Sequence, residues 1–153
     1  MALQLVSVGG AIALAADPVT NERGVVLRYI NRTGHTSVKG ELVSPSTTTD
    51  REVVAQAVEY DTFGVIAQAG IAEGADVWVW TIGAVCQVLF KDTVAATRGH
   101  LLIAADTDGR AIDLPNPGEG LPAIEVHFKE CGHVMQSQAA GTNVLALVTL
   151  HFN

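Results

Sequence analysis

Cys131 and His133 are the residues of this chain whose types and spacing best suit a metal site. On a β-strand, residues two apart share one face, and a thiolate with an imidazole is half of a tetrahedral zinc site. No second pair at ligand spacing completes the set, because the other histidines are scattered: His35, His100, His127 and His151. We therefore interpret the pair as structural and expect no metal and no cofactor.

Cysteine nucleophiles are a second chemistry to consider. A catalytic cysteine needs a lowered thiol pKa, which a histidine or a following helix N-terminus supplies. No helix is predicted after Cys131, and nothing suggests an activating partner for Cys86. We predict that Cys131 is a small buried hydrophobe rather than a disulfide partner or reactive thiol. The chain is accordingly expected not to be an enzyme.

The Asp106-Thr107-Asp108-Gly109 segment invites a calcium interpretation. An EF-hand loop needs glycine sixth and glutamate twelfth, whereas here glycine is fourth and Pro117 takes the twelfth place. Asp-Gly between two apolar runs instead predicts a β-hairpin. The chain also lacks the glycine-rich loops that bind phosphate, and its carboxylates are dispersed.

Trp78 and Trp80 are the chain's two tryptophans, and their spacing places both rings on one face of a strand. Either the pair packs in the core, which is the preferred interpretation, or it anchors a protein interface, where tryptophan is favoured. If exposed, the rings could also stack on sugars.

Part of the sequence is repeated. The shared skeleton is valine, aromatic, apolar, glycine, aliphatic and glutamine, and the likeness extends into flanking segments. The matched pairs are 39–43 with 98–103, 58–68 with 126–136, and 74–82 with 141–150. Strand residues and glycines recur, and reactive residues do not. This pattern indicates a folded building block rather than a catalyst.

Many short strands at near-regular spacing, punctuated by glycine, are typical of all-β barrels and sandwiches. We predict an all-β fold: a single β-barrel or sandwich domain at 24–153, with pseudo-repeats at about 36–82 and 95–150. Residues 1–23 are predicted to be an extended N-terminal arm. Its apolar residues must be buried, either by adding a strand to their own domain or on a neighbouring chain, which is slightly preferred.

Composition limits the partners. The chain has 153 residues, a net charge of −7 and nine scattered basic residues, so no basic stripe is available for nucleic acid or an anionic membrane. No segment is long and apolar enough to span a bilayer. Only 16% of residues are charged, which fits a protein packed against others.

Several strand motifs, taken in order, resemble the small β-barrel cement proteins that decorate tailed-bacteriophage capsids. The resemblance covers about 58–152 and depends on these segments: Phe63-Gly64-Val65-Ile66-Ala67, Val77-Trp78-Val79, Gly83-Ala84-Val85, Arg98-Gly99-His100-Leu101-Leu102, the Asp108-Gly109 hairpin, and Cys131-Gly132-His133-Val134. The chain departs from that pattern in its longer arm, in an insertion at 115–122, and in Cys131-Gly132-His133 where an apolar residue, glycine and valine are usual.

The resemblance implies a structural virion protein, made in the host cytoplasm and bound to the capsid exterior. It would bind the major capsid protein and itself, as a homotrimer, and stabilise contacts between capsid subunits. The expected partner-binding residues are large apolar ones: Leu3, Leu5, Val6, Val8, Ile12, Leu14, Trp78 and Trp80. The alternative is a carbohydrate-binding or adhesion β-domain of a phage tail or cell surface.

Overall fold

The computed structural model describes residues 3–57, 62–115 and 130–151, and its regular elements are all β-strands. The predicted all-β class is confirmed. Among the described residues there is no helix that could cross a membrane. The described residues form twelve strands: β1 (Gln4–Gly9), β2 (Ile12–Asp17), β3 (Glu22–Asn31), β4 (Leu42–Pro45), β5 (Glu52–Ala55), β6 (Gly64–Ile66), β7 (Asp76–Trp80), β8 (Val85–Leu89), β9 (Leu101–Ala104), β10 (Ala111–Leu114), β11 (Glu130–Val134) and β12 (Leu145–Leu150).

Five strands close into a ring. β3 pairs in parallel with β5, and antiparallel pairs then run from β5 through β4 and β6 to β7, which returns to β3. Alternate residues of these strands form a fully buried aliphatic cluster on one side: Val43, Val53, Ile66, Val77 and Val79. Because each strand of β4 to β7 contributes at least one member, the cluster is the interior of this small closed ring.

The five strands that follow the ring in sequence, β8 to β12, form a layer in the order β8, β12, β11, β9 and β10. Its buried face packs against the outer face of the ring and forms the larger core. The biggest fully buried members are Trp80, Phe90, Leu42, Leu102 and Leu150. Small side chains fill the remaining space, as the low aromatic content predicts.

The two strand sets share one order of pairing: β5–β4–β6–β7 and β10–β9–β11–β12. Gly64 in β6 and Gly132 in β11 hold matching places. A Cβ at Gly64 would lie 2.6 Å from the Trp80 carbonyl oxygen, and one at Gly132 would collide with the Thr149 carbonyl. Both glycines therefore permit close contact with the next strand. Residues 58–61 and 116–129, which include parts of the repeats and of the 115–122 insertion, lie outside the described residues.

The N-terminal segment is not an arm set apart from the domain. β1 and β2 form a hairpin, and all six residues of β2 pair with β3 of the same chain. The predicted boundary at residue 23 falls inside β3, and the preferred neighbour-chain position is replaced by the alternative, a strand added to its own domain. The physical reason is that Ala13 and Ala15 are small enough to enter the core beside β3.

Turns and short connections complete the described fold. The Asp-Gly turn does join a hairpin, β9 to β10, with Ala111 opposite Ala104. Strand β5 is short and ends at Ala55, with two residues between it and the first internal gap in the described residues. Ser37 lies in the segment between β3 and β4, which begins at Leu42. The Ser37 hydroxyl donates to the Gln68 carbonyl and accepts from the Ile71 amide, which ties this segment to the β6–β7 connection.

Candidate functional site

The outer side of the N-terminal hairpin exposes large aliphatic side chains. In β2 burial alternates, and the buried positions hold Ala13 and Ala15 while Ile12 and Leu14 are 46% and 54% exposed. This reverses the usual arrangement, in which the larger apolar residues face the core. The inner side is crowded: a Cβ at Gly24, opposite Ala15, would lie 2.7 Å from the Ala84 Cβ.

Strand register extends this outer side across three strands. Val6 of β1 pairs with Leu14, and Leu14 pairs with Val25 of β3. Directly opposed residues on neighbouring strands share a face, so the three side chains form one row. Val6 is 66% exposed and Val25 is 36% exposed. We call Val6, Ile12, Leu14 and Val25 the hairpin face.

The hairpin face carries little charge. The next row on the same side consists of Gln4, Ala16 and Arg23, which follow from the pairing of Ala16 with both neighbours. In these two rows of described residues, Arg23 is the one charged side chain. Apolar surface with a charged edge is the composition expected of a protein-binding patch rather than of a phosphate-binding one.

The other predicted partner-binding residues are placed elsewhere. Leu3 packs against the larger core, and Leu5 is 38% exposed but belongs to the row of Ala15, on the side opposite to the hairpin face. Val8 lies in β1. Trp80 is fully buried and Trp78 packs half-buried against the same core. The core interpretation of the tryptophan pair is therefore the one the structure supports, and a ring buried like Trp80 cannot stack on a sugar.

Val25 is a member of the face that sequence reasoning missed. The signal was present in the alternation of Val25, Leu27 and Tyr29, but their side depends on the register with β2 and β7. Leu27 pairs with Val79 and Tyr29 with Val77, whose side chains line the ring. The hairpin face is thus the continuation of the ring's inner surface beyond the ring.

A buried ion pair fixes the base of the hairpin. The Glu22 side chain is fully buried, and one of its oxygens lies 2.5 Å from Lys39 Nζ and accepts from the Thr20 hydroxyl at 2.6 Å. Its other oxygen accepts from the backbone N–H of Gln87 at 2.9 Å. Asp17 closes the adjoining turn by accepting from the Val19 amide. One carboxylate therefore connects β3, β8 and the segment before β4.

Three possible metal ligands converge between β11 and the end of β12. His133 Nδ1 lies 2.6 Å from His151 Nε2, and Glu130 Oε1 lies 3.5 Å and 3.0 Å from these two nitrogens. The sequence pattern had paired His133 with Cys131 and left His151 unassigned. Instead, Cys131 contacts the Thr62 hydroxyl at 3.3 Å. The separation of 18 residues between the histidines gave no sequence signal for this cluster.

Comparison with known proteins yields a likeness of fold. No protein-family model and no curated protein matches the chain. A solved structure, the crystal structure of the head fiber gp8.5 N base in bacteriophage phi29, superposes with a TM-score of 0.52 at 15% sequence identity. The match covers 82% of this chain and 92% of that chain. At this identity, the likeness shows that the two chains share a fold.

Proposed function

We propose that this chain is a structural protein of a phage virion, which binds the outer surface of the capsid through the hairpin face and stabilises contacts between major capsid subunits. The observation that carries the proposal is the in-register row of exposed aliphatics, Val6, Leu14 and Val25, on a hairpin face that the described residues of the chain leave uncovered. The fold shared with a phage head fiber base supports the virion setting.

The size of the hairpin face limits what one copy can do. From their exposures, its four side chains offer the equivalent of about two fully buried aliphatics, or ~3–6 kcal/mol at ~1.5–3 kcal/mol each. Association itself costs about 4–15 kcal/mol in lost translational and rotational freedom. One such face therefore supports only weak binding. We propose that a homotrimer presents three faces, since linked weak contacts can raise overall affinity by about 10²–10⁴-fold.

The proposed action needs no covalent chemistry. A protein that binds the assembled shell and not the separated subunits stabilises the shell by mass action. We therefore propose that the chain is not an enzyme and that its partners are the major capsid protein and further copies of itself. Its net charge of −7 favours protein surfaces over nucleic acid as targets.

Co-sedimentation with undecorated, expanded capsids of the encoding phage tests the proposal. We expect the wild-type chain to sediment with capsids at micromolar concentration. A Val6→Ser, Leu14→Ser double variant should lose most of that binding, because both hydroxyls replace the two most exposed aliphatic side chains of the row. Val38→Ser is the matched control, since Val38 is also an exposed valine but lies in the segment before β4.

The outcomes separate the two parts of the proposal. If the folded wild-type chain never sediments with capsids, capsid binding is refuted. If it sediments and the double variant sediments equally well, binding uses another surface and the role of the hairpin face is refuted. Analytical ultracentrifugation of the free protein and of capsid-released protein tests the trimer: monomers in both samples would contradict it.

A further inference from the structure

The cluster of Glu130, His133 and His151 is built by a β-bulge. Residues three apart on a regular strand point to opposite sides. In β11 the register with β9 shifts between Glu130 and Gly132, so an extra residue is accommodated there. Bulges re-aim side chains and are frequent next to functional sites. This bulge brings the Glu130 carboxylate to the same side as the His133 ring.

Strand pairing supplies the third group. His133 pairs with Thr149 of β12, and the His151 amide donates to the Cys131 carbonyl at 3.1 Å, so the ladder continues past the end of β12. His151 is therefore the diagonal neighbour of His133 on one face. Their ring centroids are 4.8 Å apart. The ligand atoms of all three residues lie within 4.8 Å of one another.

We propose that Glu130, His133 and His151 form a binding site for one divalent first-row transition ion, with Zn²⁺ as the main candidate. Two imidazole nitrogens and a carboxylate oxygen are a ligand set of zinc sites with three protein ligands. The same donors suit Co²⁺ and Ni²⁺, which bind in the Irving–Williams order. The set excludes Ca²⁺ and Mg²⁺ as preferred ions, because these favour oxygen ligands throughout.

Burial suits the three residues to these roles. The Glu130 side chain is only 5% exposed and is held in place, whereas the side chains of His133 and His151 are 41% and 34% exposed. An ion can therefore enter from solvent and keep a fourth position for water. The two nitrogens need to separate from 2.6 Å to about 3.3 Å, the spacing of ligands in a tetrahedron with Zn–N near 2.05 Å. Small rotations of two half-exposed rings provide this.

An ion at this site would join β11 to the end of β12. Gly132 sits between the ligands, and its lack of a side chain allows the close approach of β12 at Thr149. The bound ion would then hold the end of β12 against β11. Metal binding to the folded state alone raises stability by an amount that grows with the ion concentration relative to Kd.

Titration of the chelator-treated, tag-free full chain tests the site. We expect one Co²⁺ per chain with visible d–d absorption of a low-symmetry site, displaced by Zn²⁺, and a higher melting temperature with Zn²⁺. His133→Gln and His151→Gln should each weaken binding by at least about 100-fold, since even loss of groups behind the ligands costs 10–100-fold. Both rings are part-exposed, so these variants are expected to fold.

His100→Gln is the matched control. His100 Nδ1 lies 2.9 Å from Asp113 Oδ2, which makes it a histidine beside one carboxylate without a second imidazole. It should bind Co²⁺ and respond to Zn²⁺ as the wild type does. The proposal is overturned if the folded wild type binds neither ion at micromolar concentration, which would leave the cluster as a hydrogen-bonded group. It is also overturned if His133→Gln and His151→Gln keep wild-type affinity, or if His100→Gln loses it.

Discussion

Removal of the Glu22 carboxylate should destabilise the protein far more than removal of an exposed carboxylate with the same ion-pair distance. Glu22 lies 2.5 Å from Lys39 Nζ, with the glutamate side chain fully buried and the lysine 25% exposed. Asp106 lies 2.5 Å from Lys91 Nζ, but their side chains are 70% and 36% exposed. The two pairs therefore differ in burial and not in distance.

The expected size follows from what Glu22→Ala leaves behind. Lys39 loses its partner, and the Gln87 amide and Thr20 hydroxyl lose an acceptor. Breaking a buried ion pair from one side costs about 3–5 kcal/mol. Because Lys39 is partly exposed, water compensates some of its charge, and we expect the lower half of that range. For a domain of this size, the melting temperature should fall by about 6–16 °C, at ~2–4 °C per kcal/mol.

Urea denaturation followed by tryptophan fluorescence measures this, because Trp80 is buried in the core. Asp106→Ala is the control and should leave the unfolding midpoint unchanged, since exposed pairs are screened by solvent. If Glu22→Ala and Asp106→Ala shift the midpoint equally, burial does not determine the contribution of these pairs, and the reasoning is refuted. The same holds if Glu22→Ala has no measurable effect.

Three further outcomes are expected. Gly64→Ala should cost about 1–3 kcal/mol of unfolding free energy, because its Cβ would lie 2.6 Å from a backbone oxygen of β7. Gly10→Ala, whose Cβ would meet nothing within 4 Å, should be near neutral, and equal urea midpoints for these two variants would contradict the prediction. The Cys86 thiol should react with a thiol reagent at neutral pH only after denaturation, because burial and, to a lesser degree, the Glu22 charge raise its pKa well above 9.0. Rapid labelling of Cys86 in the native protein, located by peptide mapping, would contradict this. The pKa of His35 is raised above 6.5, first by its hydrogen bond to the Thr36 carbonyl and also by the Glu41 charge. The stability that protonated His35 adds is therefore present below pH 6.5 and is lost as pH rises through the raised pKa. The difference in unfolding free energy between wild type and His35→Gln should shrink from about pH 6 to pH 9, and a difference that grows would contradict this.

Local signals in the sequence predicted the kind of structure well. Asp108-Gly109 between apolar runs predicts the β9–β10 hairpin, because that dipeptide favours the backbone of a tight turn wherever it stands. The alternating tryptophans predict that Trp78 and Trp80 share a side. Such signals need only neighbouring residues, which the sequence shows directly.

The hairpin face could not be predicted in the same way. Both sides of β2 are apolar, so the period-two pattern that normally separates core from surface carries no contrast there. Which side is buried depends on whether alanine or leucine fits beside β3 and Ala84, a contact between distant segments. The hairpin residues Leu5 and Val6 therefore seemed equivalent in sequence and lie on opposite sides of the sheet.

The cluster of Glu130, His133 and His151 could not be predicted from the sequence for a related reason. A bulge at Glu130 and Gly132 changes which residues share a side, and the sequence reveals neither the bulge nor the partner of β11. With regular strand geometry, Cys131 and His133 were the natural pair. The actual neighbour of His133 is His151, which lies just beyond the end of β12.

The continuity of β3 has a mechanical consequence. Its first half pairs with β2 of the hairpin, and its second half pairs with β7 in the closed ring. A pull on the hairpin along the strand direction would load these antiparallel hydrogen bonds in shear, so that many must break together instead of one after another. A load applied across the strands would instead open the hairpin from β1 inward. The same ten residues would thus make the molecule stiff in one direction of force and compliant in the other.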